Sequence, residues 1–104
     1  MKTEAALQRY LFAQAKKHFV FARKMQATGR VGFPDVLLAS DARAVYVELK
    51  SPSGKGRLSK MQEREIKRMR AAGLDVRIIW KKEKVDELIK QLAGEDDPER
   101  PGFI

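Results

Sequence analysis

The chain has no cysteine among its 104 residues, which excludes disulfide scaffolds and thiolate metal sites. Its only histidine, His18, has no partner at ligand spacing, so we expect a structural or surface role for it rather than general-base chemistry. No apolar run approaches the roughly 18 residues of a membrane span. The N-terminal residues 1–4 lack the apolar segment of a signal peptide. These absences favour an intracellular, cytoplasmic protein without a membrane partner.

Charge, in contrast, is abundant. Charged residues make up 35% of the chain, and the formal net charge is +8. This basic balance favours an anionic partner, with nucleic acid ahead of a membrane surface. The length suits one compact domain. We therefore expect a single domain over residues 1–93, followed by a loosely ordered tail at residues 94–104 that contains acids and prolines.

Apolar periodicity predicts the element order αβββαβα, a mixed sheet flanked by helices in the α/β class. The predicted helices cover residues 3–17, 59–72 and 82–92, and the predicted strands cover residues 18–22, 35–39, 45–49 and 75–80. The second and third strands are almost continuously apolar, which indicates strands covered on both faces.

The second and third strands form a hairpin around a polar turn at residues 40–43. A turn centred between Asp41 and Ala42 would place Asp35 directly opposite Glu48, with Cβ atoms about 5 Å apart. Lys50 follows Glu48 by two residues and therefore emerges on the same face. The hairpin is thus predicted to gather two carboxylates and a lysine.

Each carboxylate also has a simpler explanation. Asp35 follows a proline, and Pro-Asp before a strand is often only a turn. Glu48 lies inside an apolar strand, where a carboxylate needs a compensating cation. A salt bridge to Lys50 or to an arginine would supply one. Because Asp35 is expected opposite Glu48, we favour a divalent metal ion held by the two carboxylates, with Lys50 beside it.

Two helical residues are further candidates. Glu4 lies on the same stripe of the first helix as Leu11, although the helix dipole also favours an acid in a first turn. Gln62 fits a capping box with Ser59, yet it also falls within the apolar arc of its helix and faces the sheet near Lys50. Both interpretations of Gln62 can hold together.

Basic side chains cluster around this region of the sequence. They could simply be solvated, but their placement on one loop and on the outer face of the next helix favours contacts with phosphates. The predicted nucleic-acid-binding residues are Lys55, Arg57, Lys60 and Arg64, with Arg23, Lys24 and Arg30 as a second flank.

These motifs together resemble a known family. Gly32-Phe33-Pro34-Asp35, then Val47-Glu48-Leu49-Lys50, then Leu58-Ser59 and Gln62 are similar to the VRR-NUC branch of the PD-(D/E)xK nucleases. The resemblance runs from about Glu4 to about Trp80. The resemblance implies a restriction-endonuclease-like core. The chain resembles the stand-alone phage or bacterial members of the family.

The resemblance also implies residue roles. Asp35, Glu48, Glu4 and the Leu49 carbonyl would bind Mg²⁺ or Mn²⁺. Lys50 would orient or activate the attacking water, and Gln62 would belong to the catalytic set. The expected activity is that of an endonuclease that acts as a homodimer on branched DNA such as a Holliday junction or flap.

Two other functions stay open at the level of sequence. A non-catalytic nucleic-acid-binding module could share this fold. Alternatively, the carboxylates of a basic interaction protein could be merely ion-paired, in which case Mg²⁺ would not alter thermal stability.

Overall fold

The computed structural model describes residues 2–25, 32–54 and 56–94. Within them the elements are α1 (Glu4–Lys17), β1 (Phe21–Lys24), β2 (Val36–Ser40), β3 (Arg43–Leu49), α2 (Lys60–Ala71), β4 (Asp75–Ile79) and α3 (Lys82–Ala93). The predicted order αβββαβα is confirmed. The predicted tail beyond Gly94 lies outside the described residues.

The four strands form one mixed sheet in the order β1-β2-β3-β4. β1, β2 and β3 are antiparallel neighbours, whereas β4 runs parallel to β3. Helices α1 and α3 pack on one face, and the hydroxyl of Tyr10 on α1 donates a 2.5 Å hydrogen bond to Asp86 on α3. Helix α2 packs on the other face. None of the described helices combines the length and the apolarity needed to cross a bilayer.

The two sheet faces differ in how fully they are covered. β2 and β3 contribute Val36, Leu38, Val45 and Val47 to the α1–α3 side, and all four are buried. On the α2 side, Leu37 and Ala39 of β2 are only half-buried. The sheet is therefore covered on both faces, as the apolar strands predicted, but α2 leaves part of its face open.

The hairpin has the predicted register. Asp41 and Ala42 both have positive φ, at 51° and 63°, which is the backbone of a two-residue turn matching the twist of the strands. The pairs run from Ser40 opposite Arg43 to Val36 opposite Val47. One further step of the same register brings Asp35 opposite Glu48.

The boundary predicted for the first strand was wrong, because β1 begins at Phe21 rather than at residue 18. Residues 18–20 instead close α1. The amide of Phe19 donates to the Lys16 carbonyl, and that of Val20 donates to the Ala15 carbonyl, with Phe19 at a φ of 59°. This is a Schellman ending, which glycine usually marks. Here phenylalanine occupies the left-handed position, so the sequence carried no sign of it.

Candidate active site

The predicted cluster forms at the carboxyl end of β3, on the face that α2 covers. Leu49 is buried in the α1–α3 core, and alternation along the strand directs Glu48 and Lys50 to the opposite face. Tyr46, two residues before Glu48 on β3, lies on the same face as Glu48 and packs against α2. The fold thus places one end of a β-hairpin beneath the beginning of a helix.

Three side chains form a connected triangle there. Glu48 is only 2% exposed. Its Oε2 accepts a 2.8 Å hydrogen bond from Gln62 Nε2 and lies 3.4 Å from Lys50 Nζ. Lys50 Nζ in turn donates to Gln62 Oε1 at 3.0 Å. The carboxylate and the ammonium group are therefore both held by one amide side chain.

Asp35 is fixed from two directions. Its Oδ2 accepts a 3.0 Å hydrogen bond from the backbone amide of Leu49, and its carbonyl accepts one of 2.7 Å from the amide of Met25. Because the N–H and C=O of one strand residue point to the same edge, the Leu49 carbonyl is also directed toward β2. Its predicted role as a metal ligand stays a prediction.

The second carboxylate oxygen of Glu48 distinguishes this cluster from an ordinary ion pair. Oε1 is buried and accepts no hydrogen bond from the described residues. Burial, together with the negative charge of Asp35, raises the pKa of Glu48 to about 7, although Lys50 acts in the opposite direction. Burial and Asp35 therefore disfavour the ionised form of Glu48 more than Lys50 favours it, and a divalent cation fits this donor set because it would compensate the charge.

Gln62 serves both of the roles anticipated for it. Its backbone amide donates to Ser59 Oγ at 3.1 Å, and its Oε1 accepts from the amide of Ser59 at 2.9 Å, which completes the capping box of α2. The same side chain uses Nε2 to hold Glu48. Formation of α2 therefore brings the amide to the carboxylate, and its part in catalysis stays a prediction.

Gly32 lies against the first turn of α2, a contact that sequence reasoning missed. Its φ is +92°, and a Cβ there would lie 2.7 Å from the Met61 carbonyl oxygen and 3.0 Å from the Cα of Gln62. Only a residue without a side chain allows this approach. The glycine before Phe33 was visible in the sequence, but nothing there indicated that it contacts a helix.

Substitution of Gly32 by alanine is expected to destabilise the protein and to impair the site. The positive φ alone costs about 1–3 kcal/mol, and the contact with backbone atoms would also push Gln62 away from Glu48. Gly54→Ala is the matched control, since Gly54 has a φ of +79° and open space around it. Urea unfolding should show a larger loss for Gly32→Ala, and equal losses would contradict the proposed contact.

Glu4 is not gathered with the two carboxylates. It is exposed in the first turn of α1, although this turn lies near the end of β3, where Ser51 Oγ donates to the Lys2 carbonyl at 3.3 Å. Within the described ranges, no group of three or more His, Cys, Asp or Glu side chains is placed to hold a metal ion. Metal binding by Glu4 therefore stays a prediction.

The predicted basic flanks lie at the surface where they are described. Arg57, Lys60 and Arg64 are exposed on the loop before α2 and on its first turns. Arg23 and Lys24 are exposed on β1, the edge strand across the sheet. Lys55 and Arg30 lie outside the described residues. These positions are compatible with a phosphate-binding surface, and DNA contacts at them stay predictions.

Comparisons with known proteins agree with this fold. The mixed sheet, with a buried Glu48 beside a half-buried Asp35 and Lys50, is consistent with a nuclease-type fold. The model of the VRR-NUC domain matches residues 2–80, and the chain belongs to this family. A solved structure of a VRR-NUC domain has a TM-score of 0.74 and 27% sequence identity, with 86% of this chain and 97% of that chain covered. No curated protein sequence matches the chain.

Proposed function

We propose that the protein is a metal-dependent endodeoxyribonuclease that hydrolyses phosphodiester bonds in branched DNA. One observation carries this proposal: the buried oxygen of Glu48 without a donor, beside Asp35 and Lys50. A protein that needed only an ion pair would leave no such oxygen, because an unsatisfied buried carboxylate is costly. Membership of a nuclease family supports the same chemistry.

In this proposal Asp35 and Glu48 hold Mg²⁺ or Mn²⁺, with the Leu49 carbonyl and Glu4 as further ligands. A bound metal ion would supply a polarised phosphoryl oxygen and a water of lowered pKa. Lys50 Nζ stabilises the negative charge that develops at the phosphate and orients the attacking water. Gln62 contributes by positioning, since it holds Lys50 and Glu48 in one arrangement.

The basic flanks would hold DNA by its phosphates without reading bases. Affinity should then fall steeply with salt. One active site cuts one strand, so paired cuts across a junction would require two copies of the chain, and we propose that the active form is a homodimer.

The proposal predicts that Asp35→Asn loses metal-dependent cleavage. Asparagine can still accept the hydrogen bond from the Leu49 amide but carries no charge, so metal affinity should fall while the fold persists. The measurement is cleavage of labelled junctions, flaps, splayed arms and linear duplexes with Mg²⁺, Mn²⁺ or EDTA. Asp41→Asn, in the exposed hairpin turn, is the matched control.

The outcome also separates the alternatives. Undiminished cutting by Asp35→Asn would contradict the proposed site. DNA binding without cleavage of any substrate by the wild-type chain would favour the non-catalytic binding module. Absence of any Mg²⁺ effect on thermal stability would favour the ion-paired interaction protein.

A further inference from the structure

A cavity of about 470 Å³ runs along the outer edge of β4, between α2 and α3. Its walls combine apolar and cationic side chains, among them Ile78, Trp80, Leu88, Arg70, Arg77 and Lys84. β4 is an edge strand, so no further strand of the described chain closes this side. The mixture of an aromatic wall and a basic rim is typical of sites that bind nucleotides rather than purely apolar ligands.

Trp80 connects this cavity with the candidate active site. Leu49 of β3 pairs with Ile79 of β4, so the same register places Trp80 beside Lys50, roughly 5 Å away across the strands. The indole Nε1 donates a long hydrogen bond of 3.5 Å to the Gly56 carbonyl. A Cβ on Gly56 would lie 3.6 Å from the Lys50 side chain. Trp80 therefore lies on the strand next to Lys50, the residue that we propose acts on the scissile phosphate.

Among the described residues, one cation of the cavity is not paired with a carboxylate. Arg77 is paired with Asp75 at 2.6 Å, and Lys84 is paired with Glu87 at 3.1 Å. Arg70, in contrast, donates from Nε and Nη2 to the carbonyl of Val76, at 3.2 and 2.7 Å. A carbonyl does not neutralise a guanidinium group, so Arg70 keeps a positive charge that an anionic ligand could use.

Strand addition by a second copy of the chain is the main alternative occupant. An edge strand offers free N–H and C=O groups for such pairing. Arg70 covers the outward carbonyl of Val76 with two hydrogen bonds, which removes an acceptor that a further strand would need. The cavity is therefore better suited to a ligand bound by protein side chains than to one that pairs with the backbone of β4.

We propose that this cavity binds an unpaired segment of the DNA substrate, with one base against Trp80 and a backbone phosphate near Arg70. The proposal rests on the proposed nuclease function and gives its substrate class a physical basis. Trp80 is 37% exposed, and an exposed ring next to the cutting site can stack on a base only where that base is free of its partner. DNA with an unpaired segment beside the cut would therefore bind more tightly than continuous duplex.

Trp80 is the only tryptophan of the chain, so its fluorescence reports on this cavity alone. Metal-free protein in EDTA should be titrated with a blunt duplex and with the same duplex carrying a short single-stranded tail. We expect strong quenching with the tailed DNA and weak quenching with the duplex at equal saturation. Equal quenching by both DNAs, or none by either, would overturn the proposal. So would a change in Trp80 fluorescence with protein concentration in the absence of DNA, if it showed that two copies of the chain pair through this edge of β4.

Variants of Trp80 provide the second test. Trp80→Leu keeps apolar bulk without a stacking surface, and we expect it to lose about tenfold in affinity for the tailed DNA with little change for the duplex. Trp80→Phe keeps an aromatic ring and should retain most of the preference for tailed DNA over the duplex. It also provides a test if the leucine variant fails to fold. Phe19→Leu is the matched control, because Phe19 is an exposed aromatic at the end of α1. Equal losses on both DNAs would overturn the proposal.

These binding measurements need no cleavage, so the two proposals can fail separately. Selective quenching by tailed DNA without metal-dependent cutting would retain the nucleotide site and reject the nuclease. Cutting that is independent of Trp80 would retain the nuclease and reject the nucleotide site.

Discussion

Replacement of Lys50 by methionine is expected to lower the rate of metal-dependent DNA cleavage by about 10²–10³-fold, the usual effect of removing one group that stabilises transition-state charge. Methionine preserves an unbranched apolar stem of similar length, so the variant removes little besides the charged end of the side chain. The lost group is the ammonium, which lies 3.4 Å from Glu48 and is bonded to Gln62. Single-turnover cleavage at saturating enzyme measures the chemical step apart from DNA binding.

The matched control for this variant is Lys90→Met, which removes an exposed lysine from the last turn of α3. Both variants lose one positive charge, so a loss of general electrostatic attraction should affect them similarly. A cleavage rate of Lys50→Met close to that of Lys90→Met would show that the ammonium group takes no part in the reaction.

Metal-free Glu48→Gln is expected to be more stable than the wild-type chain at pH 8, by about 3 kcal/mol, and equally stable near pH 4. Burial and Asp35 raise the pKa of Glu48 from 4.5 to about 7. Below pH 4.5 the carboxyl is protonated in both the folded and the unfolded chain and has no linked effect. Between pH 4.5 and 7 the folded chain binds more protons, so wild-type stability falls as the pH rises. Glutamine resembles the protonated acid, so the stability of Glu48→Gln does not fall in this way as the pH rises.

Urea unfolding in EDTA at several pH values measures this effect. Addition of Mg²⁺ at pH 8 should stabilise the wild-type chain, by about 2.7 kcal/mol at a hundredfold excess over the Kd, and should leave Glu48→Gln nearly unchanged. Glu63→Gln, on the exposed side of α2, is the control for loss of one carboxylate. Parallel stability profiles for the wild type and Glu48→Gln would contradict a buried, ionised Glu48.

Much of the candidate site could be predicted because it is local in sequence. The apolar runs and the short polar turn fixed the hairpin register, and the period of two along a strand then placed Asp35 and Glu48 together. Lys50 followed from the same alternation. The capping box of Gln62 was likewise a short-range pattern, since Ser59 precedes it by one helical turn.

Local residue patterns specify the element order and the hairpin, because alternation, helical period and turn chemistry act over a few residues. The remaining features depend on how distant segments pack. This packing brought Gln62 to Glu48 and Gly32 against the first turn of α2, and it left Glu4 exposed. It also placed Trp80 beside Lys50, since a parallel strand reaches its neighbour only after the chain has crossed through a helix. Contacts of this kind depend on packing between distant segments, which no local pattern specifies.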